Sequence, residues 1–328
     1  MGSREPLDRS PGGSKDKVSI RSSHSLHASF RSRLSGVAQR WAQCSRVLGS
    51  RQGRFEDLAW QTKLAYDPAM PRDLSLRNSF DRVADLYDEV RPGYPVKLYE
   101  DLVALSGIPE GGRVLEVGCG PGIATVELAR RGYAITAVEI GPEMAARARG
   151  KCRAFRNVRV ETVSFEDWPL EREGFDLVVS ASAFHWVSPD VKYTKSAAAL
   201  RPGGSLALFW NRSPGFPADL RAALDEIYRD EAPDLADAGH EDLEVVIQRP
   251  IDELEASGLF SDVAVRRYPW ALTCTAARYA KLIQTYSDHL ALPSDVRARL
   301  AGRIEALVRD RGGTIERPYL SVLYVARR

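Results

Sequence analysis

The segment Arg113-Val-Leu-Glu-Val-Gly-Cys-Gly-Pro-Gly122 decides the fold of this chain. A short apolar strand ends here in three glycines spaced two apart, and an amphipathic segment follows at once. Glycine lets the backbone turn sharply and approach a ligand closely, because it has no Cβ. A strand, a glycine loop and a helix in this order form the nucleotide site of doubly wound α/β domains. The segment therefore predicts such a site at the carboxyl end of its strand.

The spacing of the glycines narrows the kind of nucleotide. The dinucleotide fingerprint requires a glycine at the sixth position of the loop. Counted from Gly118, that position is Ile123, which disfavours a nicotinamide-dependent oxidoreductase. A phosphate-binding P-loop is excluded, because no Gly-Lys-Ser/Thr follows the loop. A glycine loop alone is weak evidence, so the neighbouring segments must identify the ligand.

Composition places the chain among ordinary globular proteins. The 328 residues are 44% hydrophobic and 27% charged, which is enough for a substantial core. No apolar run approaches the length of a membrane span. The four cysteines are scattered without paired spacing, so the sequence predicts no metal site and no disulfide framework. Free cysteines of this kind are typical of a reducing compartment, and we expect a cytoplasmic protein.

Charge divides the chain into two parts. Residues 1–69 hold 12 lysines and arginines against 6 acidic residues, whereas the remainder holds 34 against 38. The first part is rich in Ser, Arg and Gly, and we expect a mostly disordered extension, with Met70 as a possible natural start. The second part, residues 70–328, is predicted to be one domain. Its slight acidity argues against a nucleic-acid groove.

The strand that follows the glycine loop supplies a second signal. Residues 134–139 form a buried apolar run that closes in Glu139, about 20 residues after the loop. A carboxylate at this strand end is able to accept both ribose hydroxyls of an adenosine, because it offers two oxygens. Further strands are predicted at 159–163, 174–180 and 205–210, with helices between them. This alternation indicates a parallel sheet.

These motifs together resemble class I S-adenosylmethionine-dependent methyltransferases. The resemblance is carried by Glu116–Gly122, by Arg91-Pro-Gly-Tyr-Pro95 and by the turn Pro202-Gly203-Gly204. Within that family the chain looks like the small-molecule group that includes trans-aconitate methyltransferases. The resemblance implies a Rossmann-like, doubly wound α/β fold with seven strands in the order 3-2-1-4-5-7-6, the last antiparallel. It covers a cofactor-binding core at 78–211, helical substrate-cap elements within 212–313, and a final strand at 314–328.

The same resemblance implies S-adenosylmethionine as cofactor, S-adenosylhomocysteine as product, and no metal. Tyr87 and Arg91 would border the methionine end, and Phe165 would flank the adenine. Ser164 stands where the family usually has an acid, which weakens that contact. The predicted cofactor-binding residues are Tyr87, Arg91, Glu116, Gly118, Cys119, Gly120, Glu139, Ile140, Ser164, Phe165, Glu166 and Ser180.

The loop after the fourth strand contains His185, the first candidate for a base or a substrate contact; His289 is a weaker one. Trp186 and Tyr286 are the predicted substrate-binding residues. We expect methyl transfer to a small-molecule acceptor, without nucleic-acid or membrane partners. The alternatives are a protein that binds the cofactor with little turnover, and an RNA or protein methyltransferase. The sequence names neither the acceptor, the methylated atom nor the oligomeric state.

Overall fold

The computed structural model describes residues 74–237 and 242–328, and the predicted N-terminal extension lies outside them. Seven strands form one sheet in the order β3-β2-β1-β4-β5-β7-β6, with β7 antiparallel to both of its neighbours. The predicted seven-stranded doubly wound sheet is therefore confirmed. The strands are β1 Arg113–Val117, β2 Ala134–Glu139, β3 Val158–Thr162, β4 Phe175–Ala181, β5 Leu200–Arg212, β6 Ser261–Thr275 and β7 Thr314–Arg327.

Helices connect and cover these strands. They are α1 Ala84–Val90, α2 Val96–Ser106, α3 Ile123–Arg130, α4 Pro142–Cys152, α5 Pro189–Ala199, α6 Ala218–Glu231, α7 Pro233–Asp237, α8 Leu243–Ser257, α9 Ala276–Ile283, α10 Ser287–Leu290 and α11 Ser294–Asp310. Two 3₁₀ segments, Leu74–Val83 and Phe184–Trp186, complete the described structure. None of the helices in the described ranges has the length and hydrophobicity needed to cross a membrane.

The core lies on both faces of the sheet. Side chains alternate between faces along a strand, so Leu115 and Val178 join one buried cluster, whereas Val114 and Leu177 join the other. Helices α2, α3 and α4 contribute to the second cluster, and α5 and α8 to the first. This double coverage explains why the central strands β1 and β4 are buried on both faces, whereas the outer strand β3 carries exposed residues such as Arg159 and Thr162.

The last two strands extend beyond the rest of the sheet. Strand β5 ends at Arg212, which pairs with Leu320, so residues 314–319 of β7 pair only with β6. We call this part of β6 and β7 the hairpin arm. A third buried cluster, built from α1, α6, α9 and α11, packs beside it and includes Ile315. Between the last two strands the chain forms α9, α10 and α11, within the region where helical cap elements are predicted.

One predicted boundary was wrong. The strand predicted at 205–210 begins at Leu200, because the Pro-Gly-Gly turn lies within its first residues and Gly203 adopts a φ of +75°. Helix α8 runs from Leu243 to Ser257 without a break. Pro250 lies inside that helix and is buried, so tertiary packing outweighs the lost backbone hydrogen bond.

Candidate active site

A cavity lies at the carboxyl ends of the parallel strands, where doubly wound folds bind their ligands. The volume of this cavity is about 200 Å³. One side is formed by the glycine loop and the residues after β2 and β3. The other side is formed by the residues after β4, the end of β5 and the hairpin arm. The predicted site residues in the lining are Tyr87, Arg91, Gly118, Cys119, Gly120, Glu139, Ile140, Ser164, Phe165, Glu166, His185, Trp186 and Tyr286.

The glycine loop comes very close to the loop after β4. Gly118 has a φ of +67°, and a Cβ built on it would stand 2.5 Å from the Cβ of Ala183. Any side chain at this position would therefore strain the backbone and collide with Ala183. Gly120 also has a positive φ, of +54°, but has open space where a Cβ would stand. The loop therefore presents bare backbone to the cavity.

Glu139 holds the glycine loop from the neighbouring strand. Its Oε2 accepts a hydrogen bond from the backbone N–H of Gly120 at 2.8 Å, and its Oε1 accepts one from Gly141 at 2.9 Å. Burial raises the pKa of Glu139, and these two N–H groups offset part of that effect. Each carboxylate oxygen has a second lone pair available. Glu139 is thus able to support the loop and accept two further hydroxyls.

Residues between 77 and 91, which we call the N-terminal segment, form a further wall of the cavity. The Asp81 carboxylate accepts the backbone N–H groups of Glu143 and Met144, at 2.8 and 3.0 Å, and so caps α4 from outside the helix. Arg91 donates to the hydroxyl and the carbonyl of Thr285, and its guanidinium lies over the rings of Tyr87 and Tyr286 at 4.7 and 4.8 Å. These contacts fix Arg91 between the segment and the helices beside the hairpin arm.

The polar residues after β3 form hydrogen bonds within the protein. The Ser164 hydroxyl donates to the Asp167 carboxylate at 2.6 Å and accepts the Asp167 N–H. The hydroxyl is therefore held by Asp167, and the adenine contact predicted for Ser164 stays a prediction. Glu166 accepts from the Arg77 guanidinium at 2.7 Å and from the Ser188 N–H at 3.0 Å. Phe165 is buried and contributes its ring to the lining.

His185 lies in the 3₁₀ turn after β4. The Trp210 indole N–H donates to its Nδ1 at 3.1 Å. Because an indole nitrogen is only a donor, Nδ1 must be the acceptor, and a neutral ring then carries its proton on Nε2. The indole contact fixes the orientation of the His185 ring in the cavity lining, and its two predicted roles, base and substrate contact, stay predictions.

Two predicted cofactor residues, Glu116 and Ser180, lie behind the glycine loop and outside the cavity lining. The Ser180 hydroxyl donates to the carbonyl of Val117 at 2.7 Å and so joins β4 to the end of β1. The Glu116 carboxylate is fully buried, and neither oxygen has a hydrogen-bond partner among the described residues. Burial raises the pKa of Glu116 to about 8. Neither residue lines the cavity, and the predicted contact of each with the cofactor stays a prediction.

His289, the weaker candidate for a base, lies outside the cavity lining. Its side chain is fully buried. Its Nε2 shares a hydrogen bond with the Tyr228 hydroxyl at 2.8 Å, and its Nδ1 lies 2.7 Å from the Asp288 carboxylate. The ring packs edge-on against Tyr286. With both nitrogens engaged, His289 supports Tyr286 from behind and has no access to a substrate.

Several lining residues were missed by sequence reasoning. The Tyr94 hydroxyl is 2.8 Å from the Ser182 hydroxyl, and Ser182 has a φ of +56°, a strained conformation for a residue other than glycine. Tyr94 belongs to the segment Arg91-Pro-Gly-Tyr-Pro95, which resembles a cofactor-binding motif, so the sequence did contain a local signal for it. Arg317 and Tyr319 reach the cavity from the hairpin arm, far along the chain from the β5 turn, and no local pattern marks them.

Comparison with known proteins agrees with this geometry. Residues 114–204 match the family model of a methyltransferase domain. An uncharacterised methyltransferase of Mycobacterium tuberculosis is 29% identical over 241 residues, which cover 72% of this chain and 87% of the relative. The trans-aconitate 2-methyltransferase of the same species is 38% identical over 97 residues, covering 29% of this chain and 35% of the relative.

A solved structure shares the fold. A putative type II methyltransferase from Anaeromyxobacter dehalogenans aligns with a TM-score of 0.50 and 22% identity, covering 72% of this chain and 96% of its own. The fold, the glycine loop and the domain matched at residues 114–204 make the chain similar to class I S-adenosylmethionine-dependent methyltransferases. The chain is accordingly an enzyme that transfers methyl groups.

Proposed function

We propose that this methyltransferase transfers the methyl group of S-adenosylmethionine to a small-molecule acceptor inside the cavity. The observation that carries the proposal is that a single cavity contains both a side suited to the cofactor and a side suited to the acceptor. The glycine loop and Glu139 form one side, and His185, Trp210 and the hairpin arm form the other.

The residues on the first side fit the cofactor. A carboxylate at the end of β2, with lone pairs left on both oxygens, matches two vicinal ribose hydroxyls. The glycine loop leaves no Cβ between its backbone and a ligand at Gly118 or Gly120. The sulfonium supplies an activated methyl group with a neutral leaving group, so no further activation of the donor is required. The chain has mainly to align the two reactants, which is catalysis by proximity and orientation.

The residues on the second side would position the acceptor. His185 would donate a hydrogen bond from Nε2, with its ring held by the Trp210 indole. Trp186 packs edge-on against Phe80 at 5.6 Å, so both rings form a wall of the cavity. Aromatic faces of this kind favour a nearby cationic sulfonium modestly.

An acceptor of small size is supported by the way the chain covers the cavity. The N-terminal segment and the helices beside the hairpin arm meet through Arg91 and Thr285, which restricts access. The acidic balance of residues 70–328 gives no electrostatic reason for a nucleic-acid partner. A cytoplasmic location, inferred from the scattered cysteines, is part of the same proposal.

The test is a transfer assay with methyl-labelled S-adenosylmethionine. Purified protein is incubated with three separate acceptor pools: a metabolite extract below the size of peptides, total RNA, and total protein. We expect enzyme-dependent label in the metabolite pool, lost in Glu139→Ala and retained in Glu143→Ala, which removes an exposed acid nearby. Label confined to RNA or protein would contradict the small-molecule acceptor, and binding without label in any pool would indicate a protein that does not turn over.

A further inference from the structure

The hairpin arm brings a buried arginine to the acceptor side of the cavity. Residues 315, 317 and 319 of β7 share the buried face of the arm, beyond the point where β5 ends. Arg317 and Tyr319 line the cavity there, together with Asn211 and Arg212 from the end of β5. In the sheet order this is the β4-β5-β7 side, opposite the β1-β2-β3 side that carries the glycine loop and Glu139. Arg317 therefore lies on the side that remains for the acceptor.

Arg317 has no counter-charge. Only 1% of its surface is exposed, and no carboxylate within residues 76–236 or 242–328 forms an ion pair with it. Its Nε donates to the Tyr319 hydroxyl at 3.0 Å, and Nη1 lies 3.5 Å from the Tyr279 hydroxyl. Its Nη2 has no hydrogen-bond partner. A guanidinium stays charged at every physiological pH, so this is a buried and incompletely satisfied cation.

Aromatic rings surround the guanidinium. Its central carbon lies 5.1 Å from the ring centre of Tyr319 and 5.5 Å from those of Phe216 and Tyr286. Ring faces stabilise a cation in part, but they bring no negative charge and leave Nη2 unsatisfied. The Tyr286 hydroxyl is also buried without a partner in the described structure. Two neighbouring side chains in one corner of the cavity lining, Arg317 and Tyr286, therefore each hold a buried hydrogen-bond donor that has no partner among the described residues.

We propose that this corner is an oxyanion site, and that the acceptor is an acidic small molecule whose carboxylate or phosphate group is held by Arg317 and Tyr286. The inference rests on the proposed function, since it assigns the acceptor of the same cavity. A planar guanidinium matches the geometry of an oxyanion and supplies the strongest class of protein hydrogen bond. The bound anion neutralises a charge that the folded chain leaves unpaired, so binding and burial reinforce each other.

The test uses the full-length chain saturated with S-adenosylhomocysteine. Binding of succinate, citrate and inorganic phosphate is measured by calorimetry, with succinamide as the neutral control. We expect at least one anion to bind and succinamide not to bind; a carboxylate response without a phosphate response, or the reverse, identifies the group. Arg317→Gln should weaken that binding about 10- to 100-fold, the effect of losing a charged hydrogen bond. Arg266→Gln, which changes an exposed arginine of the same hairpin, should bind as wild type does.

Two readouts separate this inference from the proposed function. Arg317→Gln should keep its affinity for S-adenosylhomocysteine, because Arg317 contacts neither the glycine loop nor Glu139. A loss of that affinity would mean that Arg317 holds the carboxylate of the cofactor, and it would overturn the oxyanion site for the acceptor. If Arg317→Gln does not fold, Arg317→Lys replaces it; lysine keeps the charge but not the fork, and should bind the anion about 10-fold more weakly. Wild type that binds S-adenosylhomocysteine but none of the three anions overturns the oxyanion site alone. Equal anion binding by wild type and the Arg317 variant also overturns the oxyanion site alone. Wild type that does not bind S-adenosylhomocysteine overturns the proposed function itself.

Discussion

The buried carboxyl of Glu116 makes the stability of this protein depend on pH in a way that the Glu116→Gln exchange should remove. Both Glu116 oxygens lack partners beneath the glycine loop, and burial raises the pKa from 4.5 to about 8. The folded state therefore holds the proton more tightly than the unfolded state does. Stability from this group is complete below pH 4.5, declines as the pH rises, and is lost once the pH exceeds about 8.

The size of the effect follows from the pKa difference. Each pH unit between the unfolded and folded pKa values costs about 1.4 kcal/mol. Between pH 6 and pH 9, wild type should lose roughly 3 kcal/mol of unfolding free energy relative to Glu116→Gln. Glutamine has nearly the same shape and does not ionise, so the variant isolates the titration.

The assay is urea unfolding at several pH values between 6 and 9, with the free energy obtained by linear extrapolation. The matched control is Glu110→Gln, which removes an exposed acid just before β1 and should keep the pH dependence of the wild-type protein. Parallel curves for wild type and Glu116→Gln would refute the reasoning, since they would mean that Glu116 is ionised in the folded protein at neutral pH.

Two further substitutions distinguish a residue that contacts the cofactor from a residue that only stabilises the fold around it. Glu139→Gln should weaken S-adenosylhomocysteine binding about 10- to 100-fold, because an amide nitrogen replaces one acceptor oxygen. Calorimetric titration measures this affinity, and Glu143→Gln, which changes an exposed acid, is the control. Ser180→Ala should lower the unfolding free energy by about 1 kcal/mol through loss of the hydrogen bond to Val117, yet leave cofactor affinity unchanged. A large drop in affinity for Ser180→Ala, or none for Glu139→Gln, would reverse these assignments.

Much of the fold was predictable because its signals are local. The parallel strands are short apolar runs closed by turns, and the glycine loop and Glu139 lie about 20 residues apart, so both fall in one βαβ unit. The extent of β5 and of the α8 helix was not predictable in this way. Gly203 and Pro250 normally end an element, and here tertiary packing continues the element across them.

The site was predictable only where it is built from neighbouring residues. Glu116 and Ser180 were assigned to the cofactor because strands buried on both faces give no indication of which way a side chain points. Arg317 was missed because its position depends on the pairing of β6 with β7, which a distant part of the chain determines. His289 is a histidine in the cap region, but only its hydrogen bonds to Tyr228 and Asp288 reveal that it is structural.

The most direct measurement of the central claim is calorimetric titration of S-adenosylhomocysteine into wild type, Gly118→Ala and Gly150→Ala. A Cβ at Gly118 would meet Ala183 at 2.5 Å, whereas Gly150 is helical with open space around it. We expect one cofactor site per chain in wild type, the same site in Gly150→Ala, and no measurable binding in Gly118→Ala. Absence of binding by wild type, or equal binding by Gly118→Ala, would contradict the assignment of the glycine loop as the methyl-donor site.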